Sequence, residues 1–335
     1  MRLPRFEYVR PTSLDEALSV LHELPDETSI LAGGTDLLVS MKNGTARPKR
    51  LVYLGSVPGL TSVSEDDDGA VRIGACANLT DLSKNGLIST RLPGLKAAIL
   101  SVASEHIRNM ASIGGNVCLG TRCWYYNQSD FWREGRGACI RAGADLCHGI
   151  KGAKRCNAIN ASDTAPMLMA LEADLVIMGK GTERTVPIQD FYRADGLHHT
   201  VLEPGEILKE IVVPVSKAKS RTSFIKISTR QGIDFADGTI AAKVAINGKK
   251  CTDAQLVLGS LLSAPLVLRK PALVVQEEGL SDDAIDSAAT AAVPELGVVS
   301  NLFTTAGYKR HLAGVLVRRA LHNIKDAAKS KRRVS

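Results

Sequence analysis

Apolar residues along this chain fall into two kinds of spacing, and the character of the chain changes after Gly181. Near the start, Leu14, Ala17, Leu18 and Leu21 recur at three- and four-residue steps, which puts them on one face of a helix. Ser13 and Glu16 have the spacing of a capping box, so Pro11 to Glu16 is predicted to open that helix. Ser29-Ile30-Leu31-Ala32 predicts a short strand that runs directly into Gly33-Gly34-Thr35-Asp36, followed by the apolar Leu37-Leu38-Val39. Leu51 to Leu54 predicts a second strand, and residues 1–55 read as a small α/β unit.

Asp66-Asp67-Asp68-Gly69 is a turn signal, and Ala70 to Ala75 reads as the next strand. Pro93-Gly94 precedes a predicted helix over Leu95 to Ser104, and Met167 to Ala173 predicts another helix ahead of a strand at Leu175 to Met178. Beyond Gly181 come strands at Glu206–Pro214, Ser223–Ser228, Thr239–Ile246 and Ala254–Leu258. Helices then close the chain near Asp282–Ala292 and over about Ala306–Ala328, the second with Leu312, Val315, Leu316 and Leu321 on one face. Strands followed by helices define an α+β class. The expected division is 1–55, 56–180 with an insertion at about 119–160, an α+β unit at 181–328, and a basic tail at 329–335.

Composition narrows the function classes. The chain has 335 residues, 44% of them apolar and 23% charged, enough for two or three packed units. No run of eighteen apolar residues exists, so no membrane span is expected. The start lacks the apolar core of a secretory leader, and the expected location is cytoplasmic. The net charge of +7 is mostly dispersed, which argues against nucleic acid as partner. Its one cluster, Lys325, Lys329, Lys331, Arg332 and Arg333, reads as a solvated end or a docking tail for an acidic partner.

Cysteine spacing carries more. Cys123, Cys139, Cys147 and Cys156 follow the order C-x15-C-x7-C-x8-C inside a glycine- and aromatic-rich segment that holds both tryptophans, Trp124 and Trp132. In a reducing compartment such a group reads as metal-binding. Four thiolates are the ligand set of a 4Fe–4S cluster, glycines let a loop wrap it closely, and aromatics can shield it from water. Structural zinc is the competing reading, although zinc sites usually contain close Cys pairs and none exists here. Cys118 stands close enough in sequence to replace one of the four. His198-His199 reads as an exposed pair in a polar loop and not as ligands.

Two small-residue turns, Ala32-Gly33-Gly34-Thr35-Asp36 and Ser112-Ile113-Gly114-Gly115-Asn116, have the composition that lets backbone amides approach phosphate oxygens. Thr35, Ser112 and Asn116 offer side-chain donors. Neither turn fits G-x-G-x-x-G, so a Rossmann site is not supported.

These two turns, together with Phe6-Glu7-Tyr8-Val9-Arg10-Pro11, Ile107-Arg108-Asn109-Met110-Ala111, Ser162-Asp163, Leu202 to Leu208 and Lys226 to Arg230, resemble the FAD-binding medium subunits of the xanthine dehydrogenase/molybdenum hydroxylase family. The resemblance covers nearly the whole chain. It implies a two-part FAD-binding domain of the PCMH, vanillyl-alcohol-oxidase-like type, and an α+β C-terminal domain of the CO dehydrogenase flavoprotein type. It implies FAD contacts from Ile30, Leu31, Ala32, Gly33, Gly34, Thr35, Asp36 and Leu37 in a first pyrophosphate loop. The second loop would be Ser112, Ile113, Gly114, Gly115 and Asn116. Val102 would form an apolar wall, Asp163 would hold the adenosine side, and Leu208 and Lys226 would complete the site. Read by themselves, Asp163 is a plausible helix N-cap and Lys226 a solvated strand lysine.

Most of that family lacks the cysteine segment. Its presence resembles the branch of 4-hydroxybenzoyl-CoA reductase beta subunits, which implies a 4Fe–4S cluster on Cys123, Cys139, Cys147 and Cys156. The same resemblance implies a large molybdopterin subunit, a small 2Fe–2S subunit, ferredoxin as electron donor, and a dimer of heterotrimers. Electrons would run through the 4Fe–4S cluster and FAD to the 2Fe–2S and molybdenum centres, for reductive dehydroxylation of the aromatic thioester. The alternatives are the same subunit in a molybdenum hydroxylase acting on another aromatic or N-heterocyclic substrate, a self-sufficient flavin oxidase, and a zinc-stapled binding protein. No acid–base pair or Ser-His-Asp set for an oxidase is found in the sequence.

Overall fold

The computed structural model describes residues 2–215, 220–230, 232–248 and 250–330, and of 328–330 the backbone only. The tail residues Lys331, Arg332 and Arg333, and the side chain of Lys329, lie outside the described residues. The chain builds three sheets. Strands β1 (Glu7–Val9), β2 (Thr28–Leu31) and β3 (Arg50–Tyr53) form a parallel sheet in the order β1-β3-β2. The helix Leu14–Glu23 buries Ala17, Leu18 and Leu21 against Val52 and Leu54, as its apolar stripe requires. Ser13 caps it, accepting from the Glu16 N–H at 3.1 Å. The return bond of the capping box lands one residue early, because the Glu16 carboxylate accepts from the N–H and hydroxyl of Thr12.

Strands β4 (Val63–Glu65), β5 (Val71–Gly74), β6 (Asp174–Gly179), β7 (Thr182–Pro187) and β8 (Ile207–Val213) form an antiparallel sheet in the order β4-β5-β8-β6-β7. Residue 181 therefore lies in the β6–β7 hairpin, and the sheet runs on to Val213. Local pattern could not show this, since β8 is recruited between β5 and β6 from a distant part of the chain. Ile207 at the start of β8 also enters the core of the first unit.

The third sheet holds β9 (Ser220–Ile227), β10 (Gly238–Asn247), β11 (Lys250–Gly259) and β12 (Leu266–Val267), antiparallel in the order β12-β11-β10-β9. Ile240, Ala242 and Val244 of β10 face the core shared with the helices Arg269–Glu278, Asp282–Ala292 and Ala306–Ser330. Ala241, one step out of phase, belongs to the middle core instead. The two-residue period of a strand thus joins the C-terminal unit to the helix Ala165–Ala170, every residue of which is buried. Among the described residues no helix is long and apolar enough to cross a membrane.

The cysteine segment leaves this framework as a loop closed at its base. Arg122 and Ile159 pair as an isolated antiparallel bridge, with N–H to carbonyl distances of 2.7 and 2.9 Å. Asn160 then donates to the Leu262 carbonyl at 3.0 Å, fixing the neck to the C-terminal unit. Beyond the neck, a short helix at Asp130–Arg136 is capped by Ser129.

Candidate functional site

A cleft of about 530 Å³ opens between the first sheet, the middle core and the loop after β9. That volume lies within the usual range for a small-molecule or cofactor site. Ile30, Ala32, Gly33, Gly34, Thr35, Asp36 and Leu37 line one side. Ser112, Gly114, Gly115 and Asn116 line another, and Val102, Asp163 and Leu208 complete the walls. Leu31 and Ile113 stand back from the cleft: Leu31 packs near Gly34, and Ile113 is fully buried in the core. Lys226 lines a neighbouring cavity of about 480 Å³ instead.

The two glycine turns are not equivalent. In the second, the four amides from Ile113 to Asn116 are already used. Ile113 donates to the Ala77 carbonyl, Gly114 to Ala75, Gly115 to the Ser112 hydroxyl and Asn116 to the Ser112 carbonyl. In the first, the N–H groups of Gly33, Gly34, Thr35 and Asp36 have no hydrogen-bond acceptor among the described residues. Four unpartnered amides in one turn form a concavity suited to an anion. The glycines also serve packing. A Cβ on Gly33 would sit 1.8 Å from the Met110 carbonyl oxygen, and one on Gly114 would sit 2.6 Å from Ala75. Gly34 has φ of +71°, a conformation that favours glycine. The turns are therefore locked backbone to backbone, and the first keeps four successive backbone donors free.

The side-chain oxygens of the second turn act as acceptors inside the fold, Ser112 through its hydroxyl and Asn116 through Oδ1. The Ser112 hydroxyl caps its own helix, and the Asn116 carbonyl oxygen accepts from the Ser162 hydroxyl at 2.8 Å and the Thr164 hydroxyl at 2.7 Å. That contact positions Asp163 between them. Asp163 Oδ2 pairs with Lys226 Nζ at 2.7 Å, and Lys226 also donates to the Ser101 carbonyl at 3.1 Å. Both side chains are largely buried, 6% and 12% exposed. Burial raises the Asp163 carboxyl to about 6 although the Lys226 charge opposes the shift. Asp163 Oδ1 is buried and has no hydrogen-bond partner among the described residues, which leaves one strong acceptor for a hydroxyl or amine at the cleft wall. Asp163 is thus neither a helix cap nor a solvated acid. Lys226 is a tether that joins β9 to the cleft wall, not a cation standing free within it.

Arg122 was not among the expected site residues, and it lines the cleft. Its guanidinium pairs with Asp36 of the first turn and lies over the Phe235 ring, 5.4 Å from the centroid. Burial, reinforced by the nearby Arg141 charge, brings it down to about 10. Its Nε is buried with no hydrogen-bond partner among the described residues. Cys76 and Cys118 also line the cleft, with thiols pushed up by burial to about 11 and about 12. The charge neighbour of Cys118 is Tyr192, so it belongs to the cleft wall and not to the cysteine group.

On the other side of the neck, Cys123, Cys139, Cys147 and Cys156 are all free thiols. Cys123 lies within electrostatic range of Cys139 and Cys147, and Cys156 within range of Cys123 and Cys139. Burial raises Cys123 and Cys156, and the neighbouring backbone amides, of Tyr125 and Tyr126 for Cys123 and of Ala158 for Cys156, act against that shift. Amide donors to thiolates are what an iron–sulfur cluster needs around it. Among the described residues no three Cys, His, Asp or Glu side chains lie close enough to share one metal ion. A tetrahedral zinc would require sulfurs roughly 3.8 Å apart, given zinc–sulfur bonds of about 2.3 Å.

The aromatic shield differs from expectation. Tyr125 and Tyr126 pack inward, under Arg136 and under Arg133 and Arg141 respectively. Trp124 is half exposed and meets Phe303 edge to face, and Phe131 is 87% exposed. His199 also departs from the exposed reading: it is half-buried, and burial together with Arg141 lowers its pKa.

With this geometry in hand, sequence comparison assigns the chain. The profile of the FAD binding domain in molybdopterin dehydrogenase matches residues 4–216, and that of the CO dehydrogenase flavoprotein C-terminal domain matches residues 223–324. The chain belongs to this family of FAD-binding medium subunits, the xanthine dehydrogenase/CO dehydrogenase branch of the molybdenum hydroxylases. It is 29% identical to the carbon monoxide dehydrogenase medium chain of Hydrogenophaga pseudoflava, over 95% of this chain and 96% of that one. It is 28% identical to subunit alpha of the 6-hydroxypseudooxynicotine dehydrogenase complex of Paenarthrobacter nicotinovorans, over 96% and 95%. A crystal structure of the H. pseudoflava carbon monoxide dehydrogenase superposes with a TM-score of 0.80 at 27% identity, over 97% of this chain and 99% of that one. Quinoline 2-oxidoreductase of Pseudomonas putida 86 shares the fold, with a TM-score of 0.79 at 23% identity.

Proposed function

We propose that this chain is the electron-carrying flavoprotein subunit of a molybdenum-containing oxidoreductase complex. FAD occupies the cleft, its diphosphate against the free amides of Gly33 to Asp36 and a polar group of its adenosine half on Asp163 Oδ1. A 4Fe–4S cluster is held by Cys123, Cys139, Cys147 and Cys156. The observation that carries the reading is the junction at Arg122, which lines the cleft and directly precedes Cys123. It sets the two cofactor sites against one common wall. A bound flavin accepts and releases electrons singly, which suits a chain of one-electron centres. The protein supplies position and dielectric: packed glycine turns, a buried Asp163–Lys226 pair, and backbone amides near the sulfurs of Cys123 and Cys156. The partners are a large molybdopterin subunit and a small 2Fe–2S subunit, as in a CO dehydrogenase-type complex.

Substrate chemistry then lies on another chain. The relatives' names support a molybdenum hydroxylase, and those of the 6-hydroxypseudooxynicotine, xanthine and caffeine dehydrogenases favour an aromatic or N-heterocyclic substrate, beside carbon monoxide dehydrogenases. A second reading has a specific observation in its favour. The four-cysteine insertion supports electron entry from a ferredoxin-type donor and reductive dehydroxylation of 4-hydroxybenzoyl-CoA. The chain purified without oxygen should contain one FAD with iron and sulfide near four each. FAD without iron would remove the cluster and leave the hydroxylase reading. Zinc without flavin would overturn the proposal. Assay of the whole complex with N-heterocycles and, separately, with 4-hydroxybenzoyl-CoA and a low-potential donor distinguishes the two substrates.

A further inference from the structure

The first glycine turn carries an electrostatic contradiction. Its four free amides suit an anion, yet the same turn ends in the acidic residue Asp36, which lines the cleft. A carboxylate beside a diphosphate costs binding energy in a partly buried site, where like charges are poorly screened. One cation answers it: Arg122, paired with Asp36 and lining the same cleft. Arg122 belongs to neither glycine turn. It is the first residue of the neck, held by both backbone bonds to Ile159, and the next residue is Cys123.

We propose that Arg122 is a positioning residue for cofactor binding: by neutralising Asp36 it makes the first glycine turn compatible with the diphosphate of FAD. Through the neck it ties flavin affinity to the presence of the cysteine insertion. The inference rests on the flavin reading above and adds a residue and a coupling that the glycine turns by themselves do not contain. Arg141 strengthens the tie. It projects from between Cys139 and Cys147, bonds the Thr121 carbonyl and hydroxyl at 2.8 and 2.7 Å, and so braces the residue just before Arg122.

The test is a double-mutant cycle on the flavin-depleted full chain, with FAD affinity read by calorimetry and folding read by circular dichroism. Arg122→Gln should weaken FAD binding about tenfold or more, because it leaves Asp36 uncompensated. Asp36→Asn/Arg122→Gln should return to within about threefold of wild type, because the repulsion is gone with its source. Arg122→Lys, which keeps the charge, should stay within a similar factor and serves if the Gln variant fails to fold. Unchanged affinity in Arg122→Gln overturns the proposal. So does a double variant as weak as the single one, which would make Arg122 a direct ligand or a merely structural residue. A wild-type chain that binds no FAD would sink the flavin reading itself, a result distinct from either.

Discussion

The cleft and the cysteine insertion sit on opposite sides of one neck and are held by different forces. The cleft is lined by residues embedded in the core: Val102, Ala111, Ser112, Gly114 and Leu208 are buried, and its turns touch backbone to backbone. Between Cys123 and Ala158 the insertion buries only Cys156 and Ala158, and it contributes no residue to any of the three hydrophobic cores. Apolar burial at about 25 cal/mol per Å² therefore stabilises the cleft and does little for the insertion. The insertion relies on its neck, its ion pairs and its stacked arginines, interactions each worth about 1 kcal/mol or less when exposed. A group bound by its thiolates would add folding energy that the peptide lacks. The cleft is preformed by packing, whereas the order of the insertion would gain from a group held by its sulfurs.

The sharpest break of this contrast lies in the cleft wall. Lys226→Met strands the buried Asp163 carboxylate and should cost about 3–5 kcal/mol at pH 7.5, measured by urea denaturation. The loss should shrink toward pH 5. The folded Asp163 titrates near 6, above its ordinary value of 3.8, so the native chain keeps a proton there that the unfolded chain has lost. Stability from this group is greatest below about pH 4 and declines as pH rises through 6. Asp163→Asn should remove that slope from the wild-type profile; a slope unchanged by the substitution would reject the assignment.

Gly33→Ala comes next. Its Cβ would meet the Met110 carbonyl, backbone that cannot swing aside, so about 2–3 kcal/mol and most bound FAD should be lost. Thermal melting and flavin content after gel filtration measure both. Retention of full flavin would show that the two turns can separate without harm.

Smaller effects are expected across the neck. Cys139→Ser/Cys147→Ser should abolish iron and expose residues 123–158 to limited proteolysis, while the melting temperature of the remainder moves by only a few degrees. A cooperative collapse of the whole chain would mean that the insertion is part of the core after all. Gly135→Ala should be the mildest, within about 0.5 kcal/mol or slightly stabilising, because the position is helical and nothing lies within 4 Å of the new Cβ. Set beside Gly33→Ala, the same added methyl reads out the packing of each region.

What the sequence by itself determined was local. Periodicity placed the helix at Leu14–Glu23 and the strands from β2 to β11 that it anticipated within a few residues, because burial on one face leaves a mark at each position. The glycine turns and the cysteine order were equally plain, since small residues and thiols are chemically distinct wherever they fall. Family resemblance extended this to the cofactor, and the profile matches bear out the FAD-binding class and its C-terminal domain. Only the tertiary structure decided the rest. Recruitment of β8 into the second sheet, the spent amides of the second turn, the burial of His199 and the pairing of Lys226 with Asp163 all join residues far apart in the chain. Arg122 is the clearest case. In the sequence it is one arginine among many beside a cysteine, and its meaning comes from Asp36, which packing alone brings to it.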